Sequence, residues 1–75
     1  VPELPVVTGA EAVRAFEKLG FVLDRVSGSH HVLRKPGHVY HLSIPVHARR
    51  TLGRGLLKAV LKAGGVSVEE FRAVL

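Results

Sequence analysis

The sequence predicts an α+β domain of order α-β-β-β-α, a three-stranded antiparallel sheet with its helices packed on one face. Three observations predict it. Apolar residues recur at helical spacing near both ends of the chain and at extended spacing in the middle. Two turn signals, Ser27-Gly28-Ser29 and Pro36-Gly37, cut that middle into three short runs. Two capping-box patterns, Thr8-x-x-Glu11 and Ser67-x-x-Glu70, mark helix starts.

Taken in order, residues 1–7 are expected to be extended, because Pro2 and Pro5 oppose a helix. Thr8 caps a first helix whose buried side is Ala12, Val13, Phe16 and Leu19, and Gly20 ends it. Residues 21–26 form the first strand and residues 30–35 the second. Pro36-Gly37 fits the centre of a type II turn, where proline presets φ and glycine accepts φ > 0. Residues 39–44 form the third strand, which Pro45 ends. Thr51 is placed to cap a second helix over residues 52–63, with Leu56, Leu57, Val60 and Leu61 as its buried stripe. Gly53 and Gly55 weaken its first turn by roughly 1 kcal/mol each relative to alanine. Ser67 then opens a short terminal helix with Phe71, Val74 and Leu75 on its apolar side. Helices and a small sheet need each other to bury their apolar sides. Packing both main helices on one face leaves the other face open.

A chain of 75 residues is one domain, and residues 1–75 are read as a single unit. A hydrophobic fraction of 47% supports a core and argues against disorder. Eleven Lys and Arg against six Asp and Glu give a formal charge of +5, which favours a polyanionic partner. There is no cysteine, so no disulfide framework exists. No apolar run approaches the roughly 20 residues of a membrane span, and residues 1–7 lack a basic leader. The expectation is a cytoplasmic protein with no membrane contact.

The chemistry concentrates in Ser27-Gly28-Ser29-His30-His31-Val32-Leu33-Arg34-Lys35. Imidazole exchanges protons near neutral pH. RNA cleavage by 2′-OH attack needs a base for the hydroxyl proton and an acid for the leaving 5′-oxygen, and histidine serves either role without a metal. Alternation puts His30, Val32 and Arg34 on one face and His31, Leu33 and Lys35 on the other. Arg34 and Lys35 are candidates to neutralise phosphate. Arg34 stands about 13 Å along the strand from His30, a distance suited to holding the backbone rather than the scissile phosphate. Arg50, Arg54, Lys58 and Lys62 recur every four residues and make a basic ridge opposite the leucine stripe. The plain alternative for that ridge is the solvated back of an amphipathic helix. His38, His41 and His47 lack zinc-site spacing, so no metal and no cofactor are expected. No P-loop, dinucleotide fingerprint or serine-hydrolase elbow is present. Three Phe and one Tyr show no spaced stacking pair, which argues against an aromatic single-strand platform.

The chain resembles the HicA family of small mRNA interferase toxins, which act opposite HicB antitoxins. The resemblance rests on Leu19-Gly20-Phe21, Gly28-Ser29-His30, Pro45-Val46-His47, Lys62-Ala63-Gly64 and Val68-Glu69-Glu70-Phe71, in that order along nearly the whole chain. It implies a fold similar to a double-stranded-RNA-binding domain, an mRNA substrate and a HicB-like antitoxin partner. It also implies a catalytic role for His30, the histidine directly after Gly28-Ser29, with His47 a secondary candidate. Members often carry Gly-Thr-Leu at the second helix, whereas this chain has Gly55-Leu56-Leu57 and lacks that hydroxyl.

The resulting expectation is a toxin of a type II toxin–antitoxin system, a metal-independent endoribonuclease cleaving mRNA. Gly28 and Ser29 present His30, and Arg34, Lys35, Arg50, Arg54, Lys58 and Lys62 hold phosphates. Two rivals stand beside it: a non-catalytic double-stranded-RNA-binding module, and a protein-interaction domain whose charge serves an acidic partner.

Overall fold

The computed structural model describes residues 3–75. Its elements are α1 (Gly9–Lys18), β1 (Val22–Ser27), β2 (His30–Arg34), β3 (Leu42–Pro45), α2 (Arg54–Gly64) and α3 (Val68–Ala73). Val1 and Pro2, part of the expected extended N-terminus, lie outside the described residues. Residues 3–7 form neither helix nor strand and bury Leu4 and Val7.

Both capping boxes form. The Thr8 hydroxyl accepts the Glu11 N–H at 3.2 Å, and the Glu11 carboxylate accepts the Thr8 N–H at 2.8 Å. Ser67 and Glu70 repeat the arrangement, both bonds at 3.1 Å. α1 and α2 end alike. Gly20 and Gly65 take positive φ, and the next N–H reaches back to Phe16 and Leu61 carbonyls, both at 3.0 Å. These bonds satisfy carbonyls that a helix end otherwise leaves unpaired.

Two expected boundaries shift by more than one residue, each for a physical reason. α2 starts at Arg54 rather than at residue 52, and Thr51 does not cap it. Thr51 instead forms a β-bridge with Thr8, and the Leu52 N–H donates to the Val7 carbonyl at 2.8 Å. Gly53 is left at the cap position with no side-chain bond. The third strand begins at Leu42 rather than at residue 39. The Lys35–His38 turn bond at 2.9 Å fits the expected type II geometry. Beyond it, His38 donates from Nε2 to the Ala63 carbonyl at 2.7 Å. That bond carries residues 38–41 toward α2 and away from the ladder.

The sheet is antiparallel in the order β1-β2-β3. Leu23 pairs with Leu33 and Arg25 with Val32, which leaves Asp24 bulged out of the ladder. On the other side, His30 pairs with Pro45, Val32 with Ser43 and Leu33 with Leu42. Leu33, Leu42 and Ile44 are wholly buried, so their side of the sheet carries the core. α1 and α2 both lean on β3. β1 lies on the far side with all its residues exposed. The helix side centres on Phe16, whose ring meets Phe21 edge-on at 5.5 Å and Phe71 at 5.3 Å. The other side, bearing His30, Val32 and Arg34, has no covering helix among the described residues.

Both capping glutamates titrate below the ordinary carboxylate range. The largest cause for Glu11 is the Thr8 backbone N–H and the next is the Thr8 hydroxyl; Ser67 does the same for Glu70. A depressed folded value means that the caps add stability above the unfolded glutamate pKa, about 4.3. That stability is lost as pH falls through the folded value. Glu11→Gln should lower the melting temperature at neutral pH. The gap to the parent should close in acid, which thermal melts across a pH series check.

Candidate functional site

The site grows from the β1–β2 turn. Ser27 and His30 are the last ladder pair, so Gly28 and Ser29 form a two-residue loop. Gly28 has φ 60°, and nothing lies within 4 Å of where its Cβ would be. Conformation, not space, demands glycine there, as at the first position of a type II′ turn. The turn delivers His30 to the start of β2 on the uncovered face. Its Nδ1 lies 3.4 Å from the Ser43 hydroxyl, reached diagonally across β3. The residue as a whole is exposed.

The end of β3 folds back onto the same turn. The Val46 N–H donates to the Ser29 carbonyl at 2.7 Å, and the Ser29 hydroxyl meets His47 Nε2 at 3.3 Å. Ser29 therefore joins two imidazoles, one as its chain neighbour and one through its hydroxyl. Beyond it lies a groove of about 220 Å³ lined chiefly by Pro45, His47, Arg50, Leu52, Gly53 and Leu56. Arg50 reaches it from a tight turn, its N–H bonded to the His47 carbonyl at 2.8 Å. Ala48 in that turn holds φ 46°, a left-handed conformation uncommon for a residue with a Cβ. The uncapped first turn of α2 borders the groove and offers backbone N–H groups with no intrahelical acceptor.

The cations divide among different surfaces. Arg34 shares the face of His30, but its Nε lies 3.2 Å from the Asp24 carboxylate, which Arg25 also approaches at 3.8 Å. Lys35 lies past the end of β2 on the opposite face, its Nζ 5.5 Å from the Phe21 ring centre. Arg54, Lys58 and Lys62 form an exposed ridge on α2, whereas Arg50 precedes the helix and belongs to the groove. His31 faces the core side, and its buried Nδ1 has no hydrogen-bond partner among the described residues. His38 is tied to Ala63, and His41 is exposed. Among the described residues, no three His, Cys, Asp or Glu side chains gather to hold a metal ion. No helix among them is long and apolar enough to cross a membrane.

Gly9 is a participant that sequence reasoning missed. A Cβ on Gly9 would collide with the Pro45 carbonyl oxygen and come within 3.0 Å of Val46 Cα. The first turn of α1 thus presses on the segment that delivers His47. A lone glycine after a capping threonine carries no sequence signal of this long-range approach.

A basic α+β domain with helices on one side of a three-stranded antiparallel sheet has the shape of a double-stranded-RNA-binding domain. The family described as HicA toxin of bacterial toxin-antitoxin matches residues 9–66, from the start of α1 through the end of α2. The chain belongs to the HicA toxin family, whose members are the toxins of such systems. Among curated proteins, none is similar enough to this chain to count as a match.

Gly9→Ala should destabilise the fold by about 1–3 kcal/mol through overpacking, measured by urea unfolding. It should also perturb the NMR signals of the His47 ring more than those of His38, because only His47 follows the displaced segment.

Proposed function

We propose that this toxin is an endoribonuclease that cleaves mRNA with His30 as general acid or base. The observation that carries the reading is the exposed His30 ring on the bare sheet face, beside the Ser29–His47 contact. In the proposed reaction, an imidazole takes the proton of a 2′-hydroxyl as its oxygen attacks the adjacent phosphorus. The bond to the 5′-oxygen breaks, and a proton returns to that oxygen. The products are a 2′,3′-cyclic phosphate and a free 5′-hydroxyl, with no net proton consumed. His30 and His47 divide these two transfers between base and acid. The Ser29 hydroxyl holds His47 at the site.

Phosphate binding is assigned by place. Gly28 and Ser29 shape the turn beside the scissile group. Arg50 and the open first turn of α2 offer an anion site in the groove. Arg54, Lys58 and Lys62 extend the track along α2, adding salt-dependent, sequence-neutral affinity. Arg34 is held by Asp24, so its part is to position backbone further along the sheet. Lys35 lies on the other face and contributes charge at long range. An antitoxin partner of HicB type would cover His30 and bring acids to this basic surface.

His30→Ala should lower cleavage of a reporter mRNA about 10²–10⁴-fold and relieve growth arrest in a bacterial host, with the variant still folded by circular dichroism. Equal arrest by parent and variant would remove His30 from the chemistry and leave a non-catalytic RNA-binding module. Asp24→Asn should free Arg34 and strengthen RNA binding. The steeper dependence of affinity on salt, by roughly one phosphate contact, is the measurement that checks it.

A further inference from the structure

Aromatic residues that look scattered along the chain form a line in the fold. Phe71 meets Phe16, Phe16 meets Phe21, Phe21 meets His38 at 5.9 Å, and His38 meets Tyr40 at 6.3 Å. The line runs from the middle of the core to the surface. At its outer end Tyr40 is 66% exposed and its neighbour Val39 is 84% exposed. Tyr40 borders a shallow groove of about 380 Å³ whose other walls are Ala59, Lys62 and Ala63 of α2. Ala59 and Ala63 stand one helical turn apart and make a low apolar floor. Lys62 stands on the rim and is also the last member of the Arg54–Lys58–Lys62 ridge.

We propose that this groove binds an unpaired nucleobase of an RNA strand, stacked on the Tyr40 ring, with Lys62 holding the adjoining phosphate. The inference rests on the RNA reading above and adds to it a second contact, remote from the Ser29 corner. Three observations support it together. The platform is preformed: the His38 ring abuts Tyr40 while its Nε2–H is fixed to the Ala63 carbonyl at 2.7 Å. A stacking surface that is already ordered loses little entropy on binding. The floor is flat and apolar, which suits the face of any base and selects none by hydrogen bonds. The approach is cationic and α2 contains no acid, so a polyanion following the ridge arrives at Tyr40. A run of Asp and Glu side chains would satisfy the charge but offers no aromatic face to stack on the ring.

The chain has a single Tyr and no Trp, so tyrosine emission reports Tyr40 alone. The test titrates the full chain with a 2′-O-methylated single-stranded octanucleotide of mixed sequence, which lacks the attacking hydroxyl. Inorganic polyphosphate and polyglutamate serve as charge-only probes. Saturable quenching by the oligonucleotide, with none by polyphosphate or polyglutamate, is the expected result. Tyr40→Ala should weaken oligonucleotide binding about tenfold by anisotropy, Tyr40→Phe should restore it, and polyphosphate affinity should not change. Oligonucleotide binding without quenching, or undiminished binding by Tyr40→Ala, would overturn the site and leave the cleavage reading intact. Quenching by polyglutamate equal to that by RNA would reassign the groove to a protein partner. Absence of both RNA binding and His30-dependent cleavage would overturn the two readings together.

Discussion

The contact on which the rest of the molecule depends is the meeting of Phe16, Phe21 and Phe71. One ring comes from the middle of α1, one from the entry to β1 and one from α3. All three are buried, and edge-to-face and tilted rings at these distances add to the gain from area alone. The joint between α1 and β1 is set there too, because the Phe21 N–H closes the end of α1 on the Phe16 carbonyl. A 75-residue chain without disulfides has little margin, so one aromatic joint that ties three elements matters more than it would in a larger domain. Partner binding to the native state would widen that margin by mass action.

The second constraint is that the described helices cover only one side of the three strands. The helices gather over β3 and the buried residues of β2 and β3. β1 is left exposed, with Asp24 bulged and two arginines around it. A bulge and alternating charge blunt an edge strand that would otherwise pair with other chains. The bare face is also where His30 stands. The exposure of the His30 imidazole and the bareness of that face thus share one origin: among the described residues, the helices all pack on the apolar side of the sheet.

The histidines show how far residue type alone carries an argument. All five are equivalent in a composition count, yet the fold gives each a different setting. His30 faces solvent beside Ser43, His31 points to the core side, and His38 ties a loop to the end of α2. His41 is free on the surface, and His47 reaches Ser29. The faces of His30 and His31 were legible from alternation along a strand. The roles of His38 and His47 were not, since their partners lie 25 and 18 residues away. Charge behaved likewise. The α2 ridge is a local repeat and was readable, whereas the Asp24–Arg34 pair depends on strand register. Tyr40 looked isolated in sequence because its ring neighbour His38 is ordered by a carbonyl on another element.

By itself the sequence determined what local physics controls. It set the order of elements, both capping boxes, the Gly20 helix end, the two turns and the face of each β2 residue. Each rests on a dihedral preference or a hydrogen bond spanning a few residues, and no competing contact outweighs it. It also carried the family, through short motifs kept in order along the chain. Tertiary structure decided whatever depends on a distant backbone group. The Val7 carbonyl takes the Leu52 N–H and delays α2, and the Ala63 carbonyl takes His38 and shortens β3. The Pro45 carbonyl leaves room only for glycine at position 9, and the Ser29 hydroxyl brings His47 to the corner occupied by His30. Such partners have no sequence signature, because the contact exists only after the chain has closed on itself.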